Sequence, residues 1–416
     1  MSEASKVLSF EDARHIVEEH AAMLAPPETE ILDLLAADRR VLARAIVSDR
    51  DLPPFPRSTR DGYAVRSADL AAVPGSLEVV GEIKAGESLE NIPKYLGNGQ
   101  AVSIMTGAPV PKGADAVVMV EYTSQQDGRV EITRSVAAGE NVVPAGAEAK
   151  QGIVLVERGV RLNDAAIALA ASVGKLRLEV CKRPRVAVLA TGDEIVSVDK
   201  TPGPTQIRNS NSYSLAAQTR NAGGEPILLP IAPDEPRRLR DLVEEGLNSD
   251  VLLMTGGVSM GRYDLVEQVL EELKAEFFFT GAKIQPGRPV AFGRCRGMSR
   301  REMAGTYFFG LPGNPVSTMV TFELFARPIV EALGGMSPQK LRFVYAKLKS
   351  DIRAKMGLKR FLPAILSGEF EASQVELVTW QGSGDIAATA RANCYIVVPP
   401  DREVIPAGEF VPIVLR

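Results

Sequence analysis

The sequence predicts a multidomain protein of the α/β plus β class, with a doubly wound parallel α/β sheet at its centre. Three apolar runs, RVAVLA (Arg185 to Ala190), DVLLM (Asp250 to Met254) and TYFFG (Thr306 to Gly310), have the length and β-rich content of buried strands. Each is followed at once by a small or polar turn: TGDE (Thr191 to Glu194), TGGVSMG (Thr255 to Gly261) and LPGNP (Leu311 to Pro315). Helical patterns alternate with the strands at Ser210 to Asn221, Asp234 to Leu247, Arg262 to Lys274 and Val316 to Leu333, with a further strand, PILLP, after the first of them. Parallel neighbours need crossover connections, so this alternation implies a parallel sheet. Ligands of such sheets lie beyond the carboxyl ends of the strands, and the three turns are expected to face one crevice.

The flanking segments are read in order. Residues 9 to 24 form a helix with Ser9 as N-cap and Asp12 in the first turn, stopped by Pro26 and Pro27. The stretch ETEILDLLAADRRVLAR fits helix or strand. In LPPFP (52–56) the prolines impose a stiff extended backbone, and the polar group Arg57 to Asp61 follows it, either a solvated linker or an ordered loop presenting Asp61. From Leu77 to Ile132 short β segments alternate with Gly and Pro breaks, so this part is mostly β; Thr106 and Gly107 stand at a strand end, where a plain turn explains them as well as ligand contact does. An extended connector follows, then a helix, DAAIALAASV, capped by Asn163 or Asp164 and ended by Gly174. Beyond Gly335 strands and turns dominate, giving a small C-terminal β domain whose QGSGDIAATARAN reads as a long loop.

Composition narrows the chemistry. With 416 residues several domains are expected, and a formal charge of -4 offers no general attraction to nucleic acid or anionic lipid. The cysteines Cys181, Cys295 and Cys394 form no CxxC pair, which fits a reducing, cytoplasmic setting. No apolar run approaches a membrane span, and the start lacks a signal-peptide core. The two histidines, His15 and His20, both fall in the first helix as exposed or interface residues, so a Ser-His-Asp triad or a multi-histidine metal site is not expected. Acid-base work and metal binding then rest on carboxylates.

The glycines of TGGVSMG allow close backbone approach and open a helix whose N-terminus favours anions, so Gly256, Gly257 and Ser259 are candidate phosphate-holding residues. Neither a Walker motif nor a G-x-G-x-x-G after a strand is present. Carboxylates at Asp193, Glu194, Asp234 and Asp264 stand beside these turns, although Asp234 also has the spacing of a helix cap and Asp264 could serve only the helix dipole. A carboxylate beside a phosphate repels it unless a bridging Mg²⁺ intervenes. KIQPGRPVAFG brings Lys283 and Arg288 to the same region, Arg288 with a planar, two-pronged phosphate contact.

The ordered motifs DGYAV, IMTGAPVPKGADAVV, ATGDEIV, TGGVSMGRYD, PGRPVAFG and GLPGNPVS closely resemble the MoeA family of molybdopterin molybdenumtransferases, to which the C-terminal part of gephyrin is related. The resemblance covers nearly the whole chain. It implies insertion of molybdate into the dithiolene of adenylylated molybdopterin, with Mg²⁺-dependent release of AMP. It further implies an elongated homodimer of four domains: residues 1–53 with 141–180 as a helix/β linker and dimerisation domain, 54–140 mostly β, 181–334 the α/β molybdopterin-binding domain, and 335–416 a β-barrel-like domain. The site would lie between the α/β domain of one subunit and the β domain of the other. Carried over residue by residue, Asp61, Thr106, Glu194, Asp234 and Asp264 are implied to be catalytic, with Glu194 and Asp264 seating Mg²⁺, and Pro312, Asn314 and Pro315 shaping the site. The chain departs from the pattern at Gln285, where many relatives carry lysine, and at Arg60, where methionine is usual.

On this reading the backbone at Gly256, Gly257 and Ser259 holds phosphate, Asp61 and Thr106 approach from the partner, and Arg288 or Lys283 guides molybdate. Two alternatives stand beside it: a molybdopterin adenylyltransferase, which the extra β domains disfavour, and a non-catalytic gephyrin-like scaffold.

Overall fold

The structure is a computed structural model and describes residues 7–88, 90–256, 265–296 and 305–416. Helix α1 (Phe10–Ala22) begins where Ser9 Oγ accepts the Asp12 amide at 3.0 Å. Phe10, Ala13, Val17 and Ala21 recur at helical spacing and are buried, so the helix lays one apolar stripe on the central domain. Phe10 sits between Phe361 and Phe325, at 5.2 and 6.1 Å, and the buried Arg14 donates to the Leu324 carbonyl. Burying a side chain such as Phe10 or Val17 contributes about 1.5–3 kcal/mol.

The ambiguous stretch after α1 is a strand, Thr29–Asp33, followed by a short 3-10 turn. It pairs antiparallel with Arg177–Cys181; likewise Ile46–Val47 pairs with Val154–Val156, and Arg57–Ser58 with Val142–Val143. The connector therefore runs back alongside the N-terminal segment, and two distant stretches share one core with helix α2 (Asp164–Ser172), capped by Asn163 through the Ala166 amide at 2.9 Å. Between these passes, β1 (Gly62–Val65), β2 (Gly75–Ile83), β3 (Gln100–Ile104), β4 (Ala116–Met119), β5 (Thr123–Gln126) and β6 (Arg129–Ile132) form a sheet in the order β4-β1-β3-β2-β6-β5 among the described residues. Only the β2/β3 contact is parallel.

The central sheet comprises β7 (Arg185–Ala190), β8 (Glu225–Leu228), β9 (Val251–Thr255), β10 (Glu276–Phe279), β11 (Ala291–Cys295) and β12 (Thr306–Leu311), in the order β8-β7-β9-β12-β11-β10. The first four are parallel and fully wound by helices, as expected; β11 and β10 add an antiparallel edge, making the sheet mixed. Helices α3 (Asn211–Asn221), α4 (Pro236–Gly246) and α5 (Leu265–Glu272) supply crossovers. Helix α6 (Pro315–Thr321) passes through a π segment, Phe322–Ala326, into α7 (Arg327–Leu333). Separate buried clusters line the two faces, so Val186 and Val188 point one way and Ala187 and Leu189 the other.

Beyond α7, β13 (Val344–Leu348), β14 (Lys359–Ser367), β15 (Gln374–Leu377), β16 (Cys394–Val398) and β17 (Phe410–Leu415) close into a barrel in the order β14-β15-β13-β17-β16, β16 returning to β14. QGSGDIAATARAN is not wholly a loop. Asp385 accepts the Ala388 amide at 2.9 Å and caps helix α8 (Ile386–Arg391), a local signal masked by the surrounding small residues. The central domain joins the barrel directly, because Ile284–Gln285 lies parallel to Lys359–Arg360.

Candidate functional site

Three strand ends lie abreast. Ala190 pairs with Thr255, and Thr255 with Leu311, so the turns after β7, β9 and β12 leave the sheet at one level. Adjacent strands are about 4.8 Å apart, and the three turns thus share an edge roughly 10 Å wide. They line a cleft of ≈ 410 Å³ together with the start of α3 and the segment Ile207 to Ser210.

The turns are tied to one another by backbone. The Thr191 amide donates to Thr255 O at 3.0 Å, and the Gly192 amide to Ala232 O at 3.1 Å. Gly256 follows with φ +94, and a Cβ there would stand 2.4 Å from Thr191 O, so only glycine lets β9 end this close to the neighbouring turn. The Glu194 carboxylate folds back over Gly192 (φ +136), where an added Cβ would meet Oε2 at 2.4 Å.

Of the residues singled out from sequence, Glu194, Gly256, Pro312, Asn314 and Pro315 line the cleft. Gly257, Ser259 and Asp264 lie outside the described residues. Asp234 is exposed and does not cap α4: its amide donates to Asp193 Oδ1 at 3.1 Å, Glu235 stands at the cap position, and Pro236 opens the helix. A proline at the first helical position has no amide of its own to satisfy and a φ suited to the helix, which favours a start there. Asp234 stands beside the cleft wall rather than in it, since the Thr191 turn bridges to Ala232.

Lys283 and Arg288 are exposed and are not among the lining residues; Pro289, next to Arg288, is. Among the described lining residues the cation is Arg208, whose Nε donates to Lys200 O at 2.9 Å. Gln285, the residue in place of a lysine, accepts a bond from Arg360 Nε at 2.9 Å, and Arg360 is buried at 8% exposure. A second positive charge at 285 would oppose that buried guanidinium. Nothing in the structure explains Arg60.

Asp61 and Thr106 meet, but elsewhere. Asp61 Oδ1 accepts the Thr106 amide at 2.7 Å at the joined ends of β1 and β3. This bond, and a second from the Thr106 side chain, hold the exposed Asp61 carboxyl below its ordinary range. No residue of this sheet lines the cleft within the same chain.

Sequence reasoning missed Thr191, Thr255 and Asn211, which knit the cleft wall. Asn211 Nδ2 donates to Thr255 Oγ1 at 2.9 Å and to Gly313 O at 2.7 Å. The polar run RNSNS before α3 was the available signal, but it reads equally as ordinary capping. No three His, Cys, Asp or Glu side chains cluster among the described residues. Among the described lining residues the Glu194 carboxylate is the charged oxygen donor, while Thr191 Oγ1 and Asn211 Oδ1 are buried in the wall without partners. Such a set fits a hard cation that shares its shell with phosphate, Mg²⁺ rather than a thiolate or imidazole metal.

A mixed sheet with glycine-tipped parallel strands, an acidic residue and an arginine around one cleft defines an α/β ligand-binding domain carrying β modules on both sides. Residues 187–332 match the family described as "Probable molybdopterin binding domain", residues 8–174 the "MoeA N-terminal region (domain I and II)" and residues 345–415 the "MoeA C-terminal region (domain IV)". A molybdopterin molybdenumtransferase from Nostoc sp. is 36% identical over 92% of this chain and 88% of its own length. One from Bacillus subtilis is 34% identical over 93% and 90%. The crystal structure of the molybdopterin biosynthesis moeA protein from Pyrococcus horikoshii OT3 superposes with a TM-score of 0.79 at 28% identity, covering 99% of this chain and 100% of that one. The chain belongs to the MoeA family.

Proposed function

We propose that this chain is a molybdopterin molybdenumtransferase, which inserts molybdate into adenylylated molybdopterin and releases AMP to give molybdenum cofactor. The observation that carries the reading is the single cleft at the abreast ends of β7, β9 and β12, within the segment matching a molybdopterin-binding domain. Family membership supports the reaction, through relatives that bear this enzyme's name along about nine tenths of the chain.

The chain's own groups divide the work. Backbone at Gly256 and the 312–315 turn lies close enough to hold a phosphate, and Arg208 adds positive charge at the rim. Glu194, with Asp264 outside the described residues, would hold Mg²⁺, which when bound neutralises the pyrophosphate. Asp61, ionised through its Thr106 bonds, is an acceptor fixed in place for a group that reaches it. Lys283, Arg288 and the buried Arg360 form the basic side of the junction with the barrel, suited to an oxyanion. Asp234, joined to Asp193, is assigned to the outer acidic rim.

The division at 1–53 with 141–180, 54–140, 181–334 and 335–416 is supported by the separate sheets and buried clusters. A homodimer with a shared site is supported by two features. Asp61 and Thr106 stand off the cleft of their own chain, and Ile31, Leu35 and Leu176 of the linker module are 68%, 83% and 76% exposed. A cytoplasmic setting is supported by three free cysteines, all buried. No helix among the described residues is long and apolar enough to cross a membrane.

Incubation with adenylylated molybdopterin, molybdate and Mg²⁺, following AMP and cofactor together, tests the reading. Equal amounts of both are expected, each requiring molybdate. Consumption of ATP on molybdopterin would instead identify an adenylyltransferase.

A further inference from the structure

The turn after β12 is held at three successive carbonyls. Thr255 Oγ1 donates to Pro312 O at 3.2 Å, and Thr318 Oγ1 donates to the same carbonyl; Asn211 Nδ2 donates to Gly313 O at 2.7 Å, and the Thr318 amide donates to Asn314 O at 2.9 Å. In a trans peptide the N–H points opposite to the carbonyl of the same unit. Drawing the carbonyls of Pro312 and Gly313 inward therefore turns the amides of Gly313 and Asn314 outward, on the side where both residues line the cleft. Neither amide donates to another described backbone group. Asn211 and Thr255 together tie this turn to the end of β9: Thr255 Oγ1 reaches Pro312 O directly, and the Asn211 Nδ2 that holds Gly313 O also donates to Thr255 Oγ1 at 2.9 Å.

We infer that Asn211 is the positioning residue of the cleft: its amide protons fasten the 312–314 turn to β9 and thereby aim the Gly313 and Asn314 amides at an anionic phosphate group of the substrate. The inference rests on the proposed function for the identity of that substrate. It does not rest on it for the presence of a phosphate cradle.

The chemistry requires asparagine. Gly313 O only accepts, so the nitrogen of the amide must face it, and both Nδ2 protons are then in use. Asn211 Oδ1 remains without a partner, as does Thr191 Oγ1 on the same wall. Both oxygens are buried within the wall, so neither meets the ligand, and the anion sits against the 313–314 amides. Aspartate has the same shape but offers an oxygen to the Gly313 carbonyl, and leucine fills the volume with no donor at all.

Inorganic pyrophosphate is the probe for the cradle, read by the amide resonances of Gly313 and Asn314 in the full-length protein. Both are expected to shift in the unaltered protein and to lose about tenfold in pyrophosphate affinity in Asn211→Leu, with the melting temperature holding the variant folded. Thr255→Val should lose affinity in the same way, and the double variant should be no weaker than the worse single, since both remove one fastening. With adenylylated molybdopterin, Asn211→Leu and Asn211→Asp should both raise KM more than they lower kcat. Absence of the two shifts in the unaltered protein, affinity within twofold in Asn211→Leu, or losses that multiply in the double variant would each overturn the assignment. Pyrophosphate shifts that depend on Asn211 in a protein that never turns over adenylylated molybdopterin would keep the cradle and overturn the proposed reaction instead.

Discussion

Asp61 Oδ1 and the Thr106 amide are joined at 2.7 Å across the ends of β1 and β3, the two residues being 45 positions apart in sequence. The pair is fixed by sheet register, since Gly62 stands opposite Ile104. Gly62 itself admits no side chain: a Cβ would lie 1.9 Å from Val118 O. Asp61 is therefore presented by a rigid edge and kept ionised by its donors.

Because its folded pKa is depressed, Asp61 favours folding above the ordinary aspartate pKa of about 3.9, and that contribution disappears as pH falls through the lower folded value. Asp61→Asn is expected to lower the melting temperature at pH 7 only slightly, because the carboxylate is exposed, while lowering kcat/KM by about tenfold or more, the loss of a charged site group. Unaltered kcat/KM at pH 7 would remove Asp61 from the site.

A shared site predicts complementation. Asp61→Ala and Gly256→Ala, each inactive alone, should regain about a quarter of full activity after mixing and subunit exchange, because half of the random dimers carry one intact site. Activity that stays at the single-variant level after proven exchange would place Asp61 and the cleft in unrelated functions.

Gly256→Ala should also be costly to the fold. The positive φ and the 2.4 Å approach to Thr191 O together predict a loss of about 1–3 kcal/mol in chemical denaturation. The sheet can relieve this only by parting the β7 and β9 ends.

Gln285→Lys restores the residue usual at that position in the resembling sequences, yet here it should destabilise. The new ammonium would face the buried Arg360 guanidinium and remove its 2.9 Å acceptor, at a cost of about 1–3 kcal/mol in unfolding free energy. A stabilised variant would show that Arg360 moves freely.

The thiols offer a pH test. Burial pushes Cys295 and Cys394 up to about 11, and Cys181 upward as well. Their folded pKa values exceed the unfolded value of about 8.5, so their contribution to stability is complete below that pH and is lost as pH rises toward 11. Thiol reagents at pH 8 should label the protein only after denaturant is added.

Much of the central domain was legible in the sequence because its parallel strands are buried on both faces and read as continuous apolar runs ending in glycine turns. Arg185–Ala190 and Thr306–Leu311 lie within a residue of expectation, and Val251–Thr255 is shifted by one. The linker module was less legible, since its pairings join residues more than a hundred apart and its strands are too short to show alternation. The alternative reading of Asp234 as a helix cap fails by one residue, since Glu235 holds the cap position and Pro236 opens the helix. Asn211 was invisible for a different reason. Its importance comes from Thr255 and Gly313, 44 and 102 residues away, and no local pattern encodes them.

Hydrogen–deuterium exchange on adding adenylylated molybdopterin tests the central claim most directly. Protection is predicted together at residues 191–194, 255–256 and 311–315, the three ends that meet in one cleft. Protection confined to other surfaces, with these three turns exchanging as in the free protein, would contradict it.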